Sequence, residues 1–428
     1  MSRLRTRPRQ HGLRLKGALL LSAAGLMLAP AGALAQTPAR ASALPGITRP
    51  SPKPAKPQKE EPAPPAPAPA PSSLWQRISS PDVEAKEFPV TTLHAAFAAS
   101  ATQAWAVGDG RSNGVDYEPL IEQWNGSSWA IASGAKIASE EGFFNGISGT
   151  GASNVWIVGE GRGGGPNAPV AEHWNGTSWS VATLPAVEGG LAAVSADGAS
   201  DAWAVGSTIE KISGSPTSTS APLIEHYNGS TWSVVSGAIA GSETESNQLV
   251  AVDAITPSDV WALDVSKPRA RYGGSGTGVV EHYNGSAWSV VEKLATGSTL
   301  AAISATSPTN VWAVGSTQAG AQLIEHFNGT EWSPIAAPSG PEGTTEVLTG
   351  VLALGESDVW AIGGLYEGVD SEPSELSEQW NGGSWKLVPT DSPFGASALA
   401  GVSGGPLFAV GGGVGGENRS FILENKTP

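Results

Sequence analysis

Two recurring side chains in this sequence have the chemistry to hold a metal or move a proton. A glutamate returns seven times, as Glu122, Glu172, Glu225, Glu281, Glu325, Glu378 and Glu424. A histidine follows it four times, at His173, His226, His282 and His326. Carboxylate and imidazole are ordinary zinc ligands. Most copies sit in a phrase such as "EHWNGTSWSV" at 172–181. An extended segment points neighbouring residues to opposite faces, so Glu and His of one copy diverge. Strands lie about 4.8 Å apart, so a third strand stands well away from any shared centre and copies on different sheets cannot meet on one ion. A structural role is expected for both, with each Glu hydrogen-bonded across its own sheet, and neither a metal nor a cofactor is expected.

Catalytic signatures are sparse. His94 is the one histidine of the chain beyond residue 35 that stands outside the repeated phrase, and no Ser-His-Asp arrangement forms around it in sequence. There is no cysteine, which excludes thiol nucleophiles, thiolate metal sites and cysteine-modified copper centres. "DGRSNG" at 109–114 begins like a calcium loop, but Arg111 and Leu120 stand where acidic ligands belong. A more promising group is made of aromatic and charged residues in variable segments: Arg111, Asp116 and Tyr117; Arg269, Arg271 and Tyr272; Tyr366, Glu367 and Asp370. Tyrosine beside arginine and carboxylate suits sugar stacking or a protein hot spot.

The elements that position these residues are periodic. A second phrase, "VWAVG" and its variants, marks each period at Trp105, Trp156, Trp203, Trp261, Trp312, Trp360 and Phe408. The spacing is about 50 residues, in the range of four-stranded propeller blades. One unit reads as "LAAVSA" (191–196), "AWAVG" (202–206), "PLIEHY" (222–227) and "TWSVV" (231–235), with an Asn228-Gly229 turn between the last two. Small residues at Ala95, Gly146, Ala193, Ala251, Ala302, Gly350 and Gly401 are expected where innermost strands crowd the axis. Tryptophan is expected to fill the gaps that open further out. The last unit lacks a fourth strand, and "SLWQRISSP" at 73–81 matches one. The sequence therefore predicts an all-β, seven-bladed propeller over 73–428, closed by an N-terminal strand that completes the C-terminal blade. Strand reversal puts the variable second-to-third-strand and inter-blade loops, with the loop tyrosines, on one rim.

These repeats resemble those of bacterial extracellular β-propellers with "VWAVG…WNGTSW" units, similar in style to Kelch-like and tectonin-like repeats. The resemblance spans 73–428 and implies the fold; such propellers include lectins, enzymes and scaffolds.

The termini and charge set the context. Residues 1–35 read as a signal peptide, with a basic start, the apolar run "GALLLSAAGLMLAPAGALA" and the Ala33-Leu34-Ala35 cleavage pattern. A secreted, cell-surface or periplasmic protein is expected, with no transmembrane segment once the signal is removed. Residues 36–72 read as a disordered Pro/Ala-rich linker. Removing the six basic residues of 1–35 leaves 18 Lys and Arg against 39 Asp and Glu, a net of −21. That charge argues against nucleic acid as a partner. The expectation is a monomeric, non-catalytic binding module with a glycan or protein ligand on the variable rim. The alternatives are a polysaccharide-acting hydrolase or lyase at the channel mouth, and a scaffold.

Overall fold

The computed structural model describes residues 74–81, 90–111, 117–134, 141–162, 165–211, 218–239, 245–268, 275–368, 371–390, 392–412 and 420–425. All lie in the second of the chain's two units, Ala43–Pro428. They form seven four-stranded antiparallel sheets, each in the order innermost, second, third, outer. Blades 1 to 6 span residues 90–131, 141–181, 189–235, 245–293, 299–334 and 345–387. Blade 7 joins Ala398–Gly401, Leu407–Gly412 and Ser420–Asn425 to the outer strand Trp75–Ile78. Trp75 pairs with Asn425 and Ile78 with Ile422, so the N-terminal strand closes the ring as expected.

The blades are joined by aromatic wedges. Trp156 lies 4.9 Å from Tyr227 and 5.1 Å from Trp232 of the next blade, measured between ring centroids. Trp203 meets Tyr283 and Trp288, Trp261 meets Phe327 and Trp332, and Trp312 meets Trp380 and Trp385 in the same way. Phe408 of blade 7 reaches Trp124 and Trp129 of blade 1, both at 5.2 Å. Trp360 of blade 6 packs edge-on against Trp75 at 5.9 Å. The second-strand wedges are almost wholly buried.

Near the axis the register corrects one expectation. Ala95, Gly146, Ala193, Ala251, Ala302 and Gly350 face Val107, Val158, Val205, Leu263, Val314 and Ile362, and the seventh member is Ala398, facing Val410. Gly401 stands three residues further on, opposite Leu407. Crowding is real at this level: a Cβ on Gly146 would lie 2.8 Å from Ala193 Cα, and one on Gly350 3.4 Å from Ala398 Cα. Just beyond, the innermost strands clip to their neighbours. Ser148 Oγ accepts from Ala196 N–H, Ser195 Oγ from Ala254 N–H, Asp253 Oδ2 from Ala305 N–H and Ser304 Oγ from Ala353 N–H, at 2.7–3.2 Å.

The repeated hairpin works through glycine and an asparagine side chain. Gly229 has φ +90°, and a Cβ there would fall 2.7 Å from Ser200 Cβ in the other turn of its blade. Asn228 Oδ1 accepts from the N–H groups of Ser230 and Thr231. The turn thus needs the positive φ at glycine, while asparagine caps the loop through its side chain.

The closing seam is also polar. Ser80 Oγ donates to the Glu122 carboxylate at 3.0 Å, and Ser420 N–H donates to Thr91 Oγ1 at 2.7 Å. Trp75 Nε1–H donates to Ser377 Oγ at 2.9 Å. Because Trp75 fills the socket for Trp360, Trp75→Ala should destabilise the protein by roughly 3–5 kcal/mol. Equilibrium denaturation of wild type and variant checks this, and an unchanged midpoint would contradict N-terminal closure.

Candidate functional site

The repeated Glu and His residues serve the frame. His173, His226, His282 and His326 each stack on the Trp of their own blade with centroids 4.1–4.3 Å apart. Their Nε2 atoms lie 2.7–2.9 Å from Asn154 Oδ1, Asp201 Oδ2, Asp259 Oδ1 and Asn310 Oδ1. In blade 6 Gln379 takes the same place and donates to Asp358 Oδ1. The glutamates face the other way and are buried between blades. Glu122, Glu281 and Glu378 take hydrogen bonds from the neighbouring blade or link rather than across their own sheet, which corrects the expected bond across the blade for these three: Ser80 Oγ donates to Glu122, Ala238 N–H to Glu281, and Gln322 Nε2–H to Glu378. Among the described residues no three His, Asp or Glu side chains stand at metal-holding spacing.

Burial has an electrostatic consequence. Glu225, Glu325 and Glu378 are pushed up to about 7 from an ordinary value of 4.5, chiefly by desolvation. A carboxyl group with a raised folded value holds its proton better in the native state. Its contribution to stability is full below pH about 4.5 and is lost as pH rises to about 7.

A different cluster occupies the variable rim, where blades 1 and 2 meet. The second strand of blade 1 ends in Asp109-Gly110-Arg111, and that of blade 2 ends in Glu160-Gly161-Arg162. Both arginines approach one ring: Arg111 Cζ lies 3.9 Å and Arg162 Cζ 5.2 Å from the centroid of Tyr117. Phe143, near the start of the innermost strand of blade 2, lies 5.7 Å from Tyr117 and 4.8 Å from Arg162 Cζ. Tyr117 is fixed by its backbone, since its carbonyl accepts from Gly142 N–H across the blade boundary at 2.8 Å. Such contacts favour the guanidinium in the ring's quadrupole field and hold its plane.

Each guanidinium has an acid behind it. Arg162 Nε lies 2.9 Å from Glu160 Oε1, which also accepts from Asn167 Nδ2 at 2.6 Å. Burial raises the Glu160 value, and Arg162 opposes that rise. Arg111 Nε is 3.8 Å from Asp109 Oδ2, and Asp109 Oδ1 is 3.1 Å from His94 Nε2. His94 Nδ1 faces the Phe144 carbonyl oxygen at 3.1 Å. Both nitrogens of His94 are therefore engaged. The two arginine side chains remain partly open, at 32% and 24% exposure.

The structure thus brings together Arg111 and Tyr117 and adds Arg162, Phe143, Glu160 and His94. The acid-Gly-Arg ending, repeated one blade apart, was the sequence signal for Arg162. Tyr366 and Glu367 lie in blade 6 and do not join the cluster. Tyr366 is half-buried against Gly364, and its hydroxyl value is raised by burial and by Glu372. Asp116, Arg269, Arg271, Tyr272 and Asp370 lie outside the described residues. An open cleft of about 720 Å³ at the blade 7–blade 1 seam, lined by Trp124, Gly126, Ser127 and Pro406 among others, has no comparable group of charges.

No family model and no curated protein matches the chain. Solved structures do. YCF48 bound to a D1 peptide matches with 16% identity and a TM-score of 0.50, over 83% of this chain and 97% of its own. An ulvan lyase of polysaccharide lyase family PL25, bound to a sugar of glucuronic acid and sulfated rhamnose, matches with 12% identity and a TM-score of 0.51, over 82% and 96%. A six-bladed fungal lectin from Aleuria aurantia has 14% identity and a TM-score of 0.42, over 71% and 97%. At such identities the first two likenesses show the fold: this chain is a seven-bladed β-propeller.

The buried carboxylates make stability fall between pH about 4.5 and about 7, with a melting midpoint lower by roughly 2–4 °C for each kcal/mol lost. Calorimetry across that range checks it, and Glu225→Gln should remove part of the slope. A midpoint that rises with pH would show the carboxylates ionised in the native state.

Proposed function

We propose that this protein is an exported binding module whose ligand, a carbohydrate or a protein, docks on the rim where blades 1 and 2 meet. The observation that carries the reading is the convergence of Arg111 and Arg162 on Tyr117, with Phe143 alongside. Partly open aromatic and arginine side chains are the residues that dominate recognition surfaces. A rigid ring that presents strand ends to solvent gives them a fixed frame.

Export rests on residues 1–35, with the Pro/Ala-rich 36–72 as a tether that carries the propeller away from its point of attachment or release. A cell-surface, periplasmic or secreted setting follows from that reading. Similar folds bind a peptide in YCF48 and a glycan in the ulvan lyase, so both ligand classes suit the architecture. Binding is preferred to turnover because His94, with acceptors on both ring nitrogens, offers no free base beside the arginines.

A thermal-shift panel on residues 36–428 with oligosaccharides, cell-wall fragments and peptides tests the reading. Ligand at a hundred times its Kd adds about 2.7 kcal/mol and raises the midpoint measurably. The shift should vanish in Tyr117→Ala and persist in Tyr366→Ala, which lies in blade 6. Equal loss in both variants, or in neither, would place the ligand elsewhere.

A further inference from the structure

We infer that the ligand of the blade 1–blade 2 rim is a carboxylated glycan, a uronate-bearing sugar chain whose carboxylate is held by Arg111 and Arg162. The inference rests on the reading of this rim as a binding site and adds the chemical class of the ligand.

The chain is strongly acidic, yet among the described residues only Arg77, Arg111 and Arg162 are arginines, and two of the three meet at one aromatic ring. The two distances place their Cζ atoms no more than about 9 Å apart. The acids behind them approach the Nε side. Among the described residues no acceptor meets their Nη nitrogens, and both side chains are partly open to solvent on that side of the Nε pairings. A guanidinium held flat on an aromatic ring presents its Nη edge in a fixed plane, the geometry that a carboxylate accepts bidentately.

The rest of the site narrows the carrier of that carboxylate. Each arginine is matched by its own acid, Asp109 or Glu160, so the rim has no run of unbalanced positive charge to hold a run of negative charge. Glu160 and Asn167 stand next to Arg162 and supply acceptors that a hydroxyl can meet and a second carboxylate cannot. Half-buried Tyr117 and Phe143 flank the arginines with apolar surface suited to sugar C–H groups. One carboxylate, neighbouring hydroxyls and a compact apolar ring belong together in a uronic acid. The site lies on an open rim, which admits a polymer without requiring a chain end.

Isothermal titration of residues 36–428 with oligomers of galacturonate, glucuronate and mannuronate, and with their methyl esters, tests this. At least one free acid should bind, with its ester about tenfold weaker or more. Arg111→Gln and Arg162→Gln should each weaken binding of the acid about 10- to 100-fold and leave the ester unchanged. Melting curves establish that the variants fold. Should a Gln variant fail to fold, Arg111→Lys and Arg162→Lys keep the charge, lose the planar fork and should still weaken the acid. Esters that bind as well as acids, or Gln variants that bind the acid normally, would overturn the carboxylate assignment while leaving a glycan site. Poly-glutamate binding as tightly as the uronates would overturn the glycan assignment. Absence of binding by every charged and neutral oligomer would overturn the inference and count against a carbohydrate at this rim altogether.

Discussion

The structure depends on one contact made seven times, Trp105 of blade 1 against Trp174 of blade 2 at 6.3 Å being the seventh: an aromatic side chain from the second strand of one blade, packed on the third or outer strand of the next. Blades that converge at an axis must splay apart further out, and the gap has to be filled with side-chain volume. Indole rings do this with the most buried area per residue, and tilted or edge-on pairs add about 0.5–1.5 kcal/mol each. Wedge and socket belong to different blades, so no blade completes its own packing. Trp360 finds its socket in Trp75, nearly three hundred residues earlier in the chain. Closure by the N-terminal strand is therefore a packing requirement as much as a hydrogen-bonding one.

That constraint divides the molecule into a rim that cannot vary and a rim that can. On the first, Gly126, Gly176, Gly229, Gly285, Gly329 and Gly382 each approach a Ser or Thr of the facing turn too closely for a Cβ to fit without adjustment. The asparagine before each glycine caps the hairpin, which explains the repeated "NG" without glycosylation. On the second rim the strands end freely, and side chains there need not serve the frame. Blades 1 and 2 use that freedom for an acid-Gly-Arg ending, and the other blades do not: the positions matching Arg111 hold Ile209, Lys267, Gln318 and Tyr366 in blades 3 to 6.

The frame tolerates buried charge to an unusual degree for a protein held together by aromatic packing. Seven glutamates are buried at the blade boundaries; burial raises the carboxyl values of Glu225, Glu281, Glu325 and Glu378, and donors from adjacent blades or links reach Glu122, Glu281 and Glu378. The rim site treats charge differently. There each arginine has its counter-ion on the inner side and aromatic carbon beneath, which holds two like charges close together while leaving their outer edges wet.

The sequence by itself determined the blade count, the strand order and the closing strand, because propeller packing repeats locally and each blade writes the same pattern of small, aromatic and turn residues. It also placed Arg111 and Tyr117 on the correct rim, since strand direction alternates without exception. It did not decide which neighbours meet. Tyr366 shares the loop class of Tyr117 yet sits in blade 6, whereas Arg162, fifty-one residues after Arg111, points at the same ring. The position near the axis was misread at Gly401, although each of the other six small residues stands ten before its blade's aromatic and that spacing already gives Ala398 before Phe408; the pairing of Ala398 with Val410 bears it out. The direction of the bonds to Glu122, Glu281 and Glu378, from the preceding blade or the link after it rather than across the same blade, was decided by tertiary structure. Periodicity fixes what each blade contains; the angle between blades decides which side chains come together, and that angle is set by the wedge each blade drives into the next.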